Sequence, residues 1–415
     1  MAATSAAEKV EELVIVGGGI AGLATAVALQ RLGKRCLVLE RWHEVRQSGA
    51  ALTLFPNAWR ALDALGVGHK LRPHYYLLRT GTITNLANGV TQHQSFVSKG
   101  ASGEEMGPRV VHRKALLEAI AEELPPECIR FSSKLSSITT EVLNDSSTVV
   151  VLTLEDGDII KAKAVIGCDG VHSVVAQWLG LSPPRNSSRS AVRGLAVFPE
   201  GHGLKLQGHQ FLSPGVRTGF VPVNKNDVYW FTAQRTTPKM NEMGRDPELI
   251  LKWTLEELVA DVPEEFKEVV LRTTPESLSY AQLTYRAPWN VFIGRAQRGC
   301  VTVAGDAMHP TTPDLGQGGC ISLEDAVVLA RCLARACTAK EMEDAMAQYV
   351  GERRARAAWV ITVSFFSGFV QQASGGLWAG PMRLFRDLLF YRLIFPMILG
   401  IARYDCGRLP EPSEA

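Results

Sequence analysis

The sequence predicts an α/β protein in which a parallel sheet with covering helices is interrupted by a second, mostly antiparallel sheet and followed by further helices. Three observations carry that reading. First, the aliphatic run Leu13-Val14-Ile15-Val16 passes through a glycine cluster into Ile20 to Leu32, a stretch of helix formers ending at Gly33, and then into Arg35 to Glu40. Strand, tight turn, helix and strand in that order make one βαβ unit with a parallel pair. Second, two later buried strands, Lys163 to Cys168 and Gly299 to Ala304, stop in the same way at Gly and Asp. Third, from Ser190 to about Tyr285 the texture changes to alternating segments, such as His209 to Phe220 and Asp227 to Ala233, divided by Pro, Gly and Asn-Lys-Asn turns. Alternation between turn signals marks antiparallel strands. One helix interrupts them, Glu248 to Leu258, with Asp246 placed to cap it and Pro247 to open its first turn.

Composition narrows the function. The 415 residues suffice for two or three lobes with a sizeable core. Lys and Arg number 44 against 42 Asp and Glu, and the cations are dispersed, which argues against a nucleic-acid partner. The eight cysteines are too sparse for a disulfide scaffold and have no C-x-x-C pair, so they read as reduced thiols. Little precedes the first apolar run, and Glu8, Glu11 and Glu12 oppose a transit peptide. A cytoplasmic protein is the expectation. No segment approaches 18 consecutive apolar residues, so a spanning helix is not expected.

Gly17-Gly18-Gly19-Ile20-Ala21-Gly22 fits G-x-G-x-x-G. Gly17 permits the tight turn, Gly19 lets a pyrophosphate touch backbone, and Gly22 lets helix and strand approach, while the helix start offers unbonded N–H groups to the anion. Glu40 ends the next strand, where a carboxylate accepts bonds from an adenosine ribose diol. The pattern therefore points to a dinucleotide. Asp169, in Gly167-Cys168-Asp169-Gly170, and Asp306, after Gly305, stand at the other two strand ends, where open α/β sheets bind ligands.

With Cys168 to Ser173, Gly305-Asp306-Ala307-Met308-His309-Pro310 and Pro313-Asp314-Leu315-Gly316-Gln317-Gly318-Gly319 added, the chain resembles the single-component flavin aromatic hydroxylases. That group includes 4-hydroxybenzoate and salicylate hydroxylases and zeaxanthin epoxidase, and its short plant-type members are most similar. The resemblance spans roughly residues 12 to 340. It implies non-covalent FAD, transient NADPH or NADH, O2, and oxygen transfer to a small aromatic or unsaturated substrate through a flavin hydroperoxide. It implies that Asp306 accepts from ribityl hydroxyls, that Gly316, Gly318 and Gly319 bring N–H groups to the flavin edge, and that Arg113 reaches the ribityl–phosphate region. Arg46 is a weaker candidate of the same kind. Asp169 would lie near the pyrophosphate and the nicotinamide approach, but Ser173-Val174-Val175 replaces the commonest pattern there, leaving NADH or NADPH open. His309-Pro310 reads as a structural bend.

The expected FAD-binding unit comprises residues 1–75, 108–182 and 286–340, the substrate unit 76–107 and 183–285, and a C-terminal helical region 341–415. Tyr229 and Phe231 share one strand face, with Trp230 on the other. Candidate substrate contacts are Tyr229, Phe231, Pro313 by resemblance, Arg217 for a carboxylate, and Phe220 on the same strand. A reductase of a prenyl-type or other apolar substrate and a non-catalytic flavin binder are the alternatives. The apolar tail, with Arg383, Arg386 and Arg392, caps the substrate unit or touches a membrane interface.

Overall fold

The structure, a computed structural model, describes residues 9–411 except 46–49, 101–102, 144–146, 239, 241–245, 260, 373–380, 382–384, 396–397 and 399. Its first sheet pairs Val10–Val16 in parallel with Leu37–Leu39 on one side and Ile159–Gly167 on the other, and Val301–Val303 joins beyond, also parallel. The registers Val16 to Leu39, Val16 to Gly167 and Gly167 to Val303 put all four strand ends on one row. The α/β class is borne out, and every motif above opens onto the same sheet edge.

Glycine geometry fixes that edge. A Cβ on Gly22 would meet the Gly17 carbonyl oxygen at 1.8 Å, and one on Gly17 would meet the Cys168 carbonyl oxygen at 2.5 Å. Gly17 also has φ +106°, a conformation that side chains resist. The helix Ile20–Arg31 is consequently buried along almost its whole length.

The second sheet runs, in spatial order, Ser279–Tyr285, Arg185–Val197, Asp227–Arg235, Val216–Pro222, Gly208–Ser213, Thr80–Asn85 and Thr91–Ser95. It is antiparallel apart from the parallel pairing of Gly208–Ser213 with Thr80–Asn85. One face is packed by helices: Trp230, Phe220, Phe211 and Phe266 form a buried aromatic cluster there. As the sequence indicates, Asp246 caps Pro247–Trp253, although the last turn, Thr254–Leu258, widens to a π-helix.

The helix Ala339–Gln371 opens on a capping box of Thr338 and Glu341 and ties both units together. Met346, Tyr349 and Ala357 join the core of the first unit, while Val360, Val363 and Val370 pack with Leu212 and Leu315. Its Arg353 is fully buried and bridges Asp325 through Nε, at 2.7 Å, and Glu324 through Nη2, at 2.6 Å. Arg356 adds a second cation to Glu324, and Asn57 donates to the same carboxylate at 2.6 Å. Removing one partner from such a cluster strands the others in a dry interior. Arg353→Met is therefore expected to cost about 3–5 kcal/mol, read as a lower denaturant midpoint at unchanged slope. A loss below about 1 kcal/mol would show the cluster to be solvated.

Candidate cofactor and substrate site

The row of strand ends supplies three carboxylates in different states. Glu40 is buried and folds back over the glycine turn, accepting the Gly18 N–H at 2.6 Å and the Trp42 N–H at 3.0 Å. Asp169 accepts the Val174 N–H at 2.7 Å and so anchors the start of the helix Val174–Trp178. Asp306 faces the cavity and makes no hydrogen bond with any described residue. Asp306 is open to the cavity, yet the protein packed around it raises the carboxyl above the ordinary aspartate range, against the pull of His309 and Arg113. An acceptor in that condition is stabilised by hydroxyl donors.

What holds Asp306 in place is Asp325, fully buried on the helix Gly318–Leu333. One of its oxygens accepts the Gly305 N–H at 2.9 Å and also bonds His309 Nε2, while the other takes Arg353. Burial alone would push this carboxyl up, yet His309, Arg353 and the Gly305 N–H outweigh it and hold it far below the usual range. Since the unfolded value is about 3.9, this stabilisation is complete above that pH and fades as pH falls below it. His309 is thus a buried structural partner, as its sequence context suggests.

The helix Gly318–Leu333 starts at the cavity. Gly316 is left-handed, with φ +63°, and a Cβ there would press on the Phe55 ring at 3.1 Å. No side chain caps the helix, because Gln317 is turned away to accept from Asn57 at 2.9 Å. Its first N–H groups have no intrahelical acceptor and point into the space in front of them.

That space is a cavity of about 510 Å³ lying between the two sheets. It brings together Arg113, Asp306, Pro313, Gly316, Gly318 and Gly319 from the first unit with Arg217, Tyr229 and Phe231 from the second. Glu40, Gly17, Gly19, Gly22 and Asp169 stand along the strand-end row and do not line it. Phe220 is a correction: register places it opposite Trp230, on the packed face, where it is fully buried against Phe211 and Phe266. Arg46 lies outside the described residues.

Arg217 has a different setting from the one its sequence suggests. It is buried, bonded to Gln371 at 2.9 Å and within 3.5 Å of Asp314, whose carboxylate is held by Arg189 through two bonds of 2.8 and 3.0 Å. The cation left over is Arg193, half-buried on the cavity wall beside Phe231, with no hydrogen bond or ion pair to any described residue. The sequence gives no sign of Arg189 and Arg193, or of a role for Asp314, because Asp314 lies 125 residues beyond the Arg189 it pairs with. Sequence reasoning also missed Glu324 and Asp325, although two adjacent carboxylates inside the apolar run Cys320 to Leu333 are a usable signal, because charges there must be paired.

Whether these residues fit FAD can be asked of the glycines. A Cβ on Gly19 would meet nothing within 4 Å, in contrast to Gly17 and Gly22. The protein does not itself demand glycine there, so the demand comes from a group lying against the backbone. A pyrophosphate supplies it, and the unbonded Asp306 carboxylate and uncapped helix start suit the ribityl chain and flavin edge. The fold and site thus define an FAD-binding oxidoreductase.

Residues 10–364 match the family model described as FAD binding domain, and the chain belongs to that family. It is 41% identical to "Monooxygenase 2" of Arabidopsis thaliana over 96% of this chain and 98% of the relative. It is 31% identical to the "Aurachin C monooxygenase/isomerase" of Stigmatella aurantiaca, over 87% of this chain and 89% of that one. The Klebsiella pneumoniae HpxO structure, solved with FAD and uric acid, shares the fold at a TM-score of 0.80 and 24% identity, covering 96% of this chain and 98% of that one. The protein is an FAD-dependent monooxygenase, and the reductase and non-catalytic alternatives find no support.

Gly19 and Gly22 separate cofactor contact from folding. Gly19→Ala is expected to leave apoprotein stability within about 0.5 kcal/mol of the parent and to weaken FAD binding at least tenfold by flavin-fluorescence titration, whereas Gly22→Ala destabilises the apoprotein itself by about 1–3 kcal/mol. Equal effects of the two in both measurements would remove the pyrophosphate from Gly19.

Proposed function

We propose that the chain uses NADH or NADPH and O2 to hydroxylate a small acidic aromatic compound, seated between the flavin edge and the Tyr229–Phe231 sheet face with its anionic group toward Arg193. The observation that carries this is the joining, in one 510 Å³ cavity, of the cofactor-edge residues with an aromatic wall and Arg193, a cation with no hydrogen bond or ion pair to any described residue. Bound FAD supplies hydride acceptance and oxygen activation. The chain's own residues bind, orient and exclude water.

Tyr229 and Phe231 lie with near-parallel rings on one strand face and present a flat apolar wall to an aromatic ring. Burial raises the Tyr229 phenol, with Arg193 and Arg217 acting in the opposite sense, so it is a neutral hydrogen-bond donor at physiological pH. Arg217 is compensated by Asp314 and Gln371 and holds the loop bearing Pro313 and Gly316 against the sheet. Arg193 is the group left to meet a carboxylate or phenolate. Relatives named "3-hydroxybenzoate 6-hydroxylase" and "FAD-dependent urate hydroxylase" act on compounds of this charge and shape, which supports the reading. We also assign Glu40 to the adenosine ribose and Arg113 to the ribityl–phosphate region. The FAD unit is proposed to comprise the three segments described above.

The test is anaerobic stopped-flow reduction by NADH and by NADPH, with and without hydroxybenzoates and their uncharged phenol analogues. A true substrate is expected to accelerate flavin reduction at least about tenfold, equivalent to about 1.4 kcal/mol of barrier. Arg193→Met should raise the concentration required of the acid by about tenfold or more while leaving the neutral analogue unchanged. Equal loss for both ligands, or reduction that is fast with no ligand at all, would overturn the assignment.

A further inference from the structure

The outer face of the C-terminal helix is apolar where a solvated helix should be polar. Ala355, Trp359, Thr362, Phe366 and Phe369 recur at alternating spacings of four and three residues and are all exposed, Trp359 to 56% and Phe369 to 57%. That spacing is a single stripe down one side. The helix Pro288–Ile293 packs beside it, with Tyr285 against Phe365 at one end and Arg354 Nη1 bonded to the Phe292 carbonyl at the other. It adds Trp289 at 53% and Ile293 at 75% exposure. Leu389 extends the surface past Phe366, which packs edge-on against Phe390.

Charge distinguishes this face from an ordinary surface. No Asp or Glu occurs from residue 353 to 386, or from 277 to 305. Arg185 lies over the Trp289 ring, 5.4 Å from its centroid, and Arg295 and Arg298 follow as exposed cations. The acid on the same helix side, Glu352, is already paired with Arg331. Exposed Trp and Phe rimmed by Arg, in two segments without carboxylates, have the chemistry of a lipid–water interface. A second copy docking through the same face would bring the same cations and, on that helix side, only the already paired Glu352 to meet them. No described helix is long and apolar enough to cross a membrane, so contact would be peripheral.

We propose that this two-helix face docks on the surface of an anionic lipid bilayer, with Trp289, Ile293, Trp359, Phe366 and Phe369 in the headgroup region and Arg185, Arg295 and Arg298 against lipid phosphates. The face backs onto the site: Phe366 contacts Phe390, Phe390 contacts Phe395, and Phe395 lines the cavity. Docking therefore places the cavity wall one ring stack from the bilayer.

The experiment is co-sedimentation of the full-length, FAD-loaded protein with vesicles of phosphatidylcholine alone or containing about one third phosphatidylglycerol. Retention is expected only on the anionic vesicles, weakened by raised salt. Trp359→Asp and Phe369→Asp should each lower the partition coefficient at least about tenfold, and Arg185→Glu about fivefold. Unchanged flavin content verifies that each variant is folded. As a second readout, brominated lipid should quench tryptophan fluorescence, with part of the quenching lost in Trp359→Phe. Failure of the parent to bind either vesicle, or equal binding by parent and Asp variants, overturns the proposal. A parent dimer that Trp359→Asp splits, with no vesicle binding, assigns the face to a second copy and overturns it as well.

Discussion

A carboxylate with no access to water, Asp325, connects the parts that must not move relative to one another. Through its two oxygens it fixes the turn after the fourth parallel strand, the buried ring of His309 and the guanidinium of Arg353 on the C-terminal helix. The adjacent Glu324 extends the bond set to Arg356 and Asn57. An ionised pair of neighbouring carboxylates in a dry core is costly, and two arginines together with directed N–H donors compensate it. The result is a helix, Gly318–Leu333, whose middle is pinned by ion pairs and whose start is left uncapped at the cavity. Rigid support and an open, electropositive tip follow from one arrangement.

A second carboxylate performs the equivalent task at the junction of the two units. Asp314 sits in the loop that carries Pro313 and Gly316, and Arg189 and Arg217 of the antiparallel sheet converge on it from below. Packing is close enough that a Cβ on Gly368 would meet the Arg189 and Asp314 side chains at 2.2 and 2.3 Å. Two cations against one anion leave this joint, taken by itself, net positive. The anionic group of the proposed substrate would meet Arg193 beside this joint, whose own charges are already engaged with one another.

The strand-end motifs were legible because their requirements are local: a glycine turn, a strand, and a polar residue one step beyond, each within a few residues. The Tyr229–Phe231 face was legible for the same reason, since alternation needs only the strand itself. Phe220 was misplaced because its facing depends on register with Trp230, which no property of its own strand reveals. Arg217 was expected to meet a substrate carboxylate because its actual partners, Asp314 and Gln371, lie 97 and 154 residues away and leave no trace in its own strand. Arg193 carries no signal of its own in the sequence, since what sets it apart is that Arg189 and Arg217 take the nearby Asp314. The C-terminal helix, read as a separate region, turned out to carry Arg353 into the heart of the first unit, a role that depends entirely on chain path.

The most direct test of the central claim is FAD occupancy and affinity in Asp325→Asn. An amide has only one acceptor oxygen, so it cannot serve both Arg353 and the pair formed by Gly305 and His309; one of them must face an N–H donor. With every cavity-lining side chain intact, the variant is expected to purify depleted of FAD and to rebind it at least about tenfold more weakly, as the Gly305–Asp306 turn loses its anchor. Full FAD occupancy with unaltered affinity in a folded Asp325→Asn protein would contradict it.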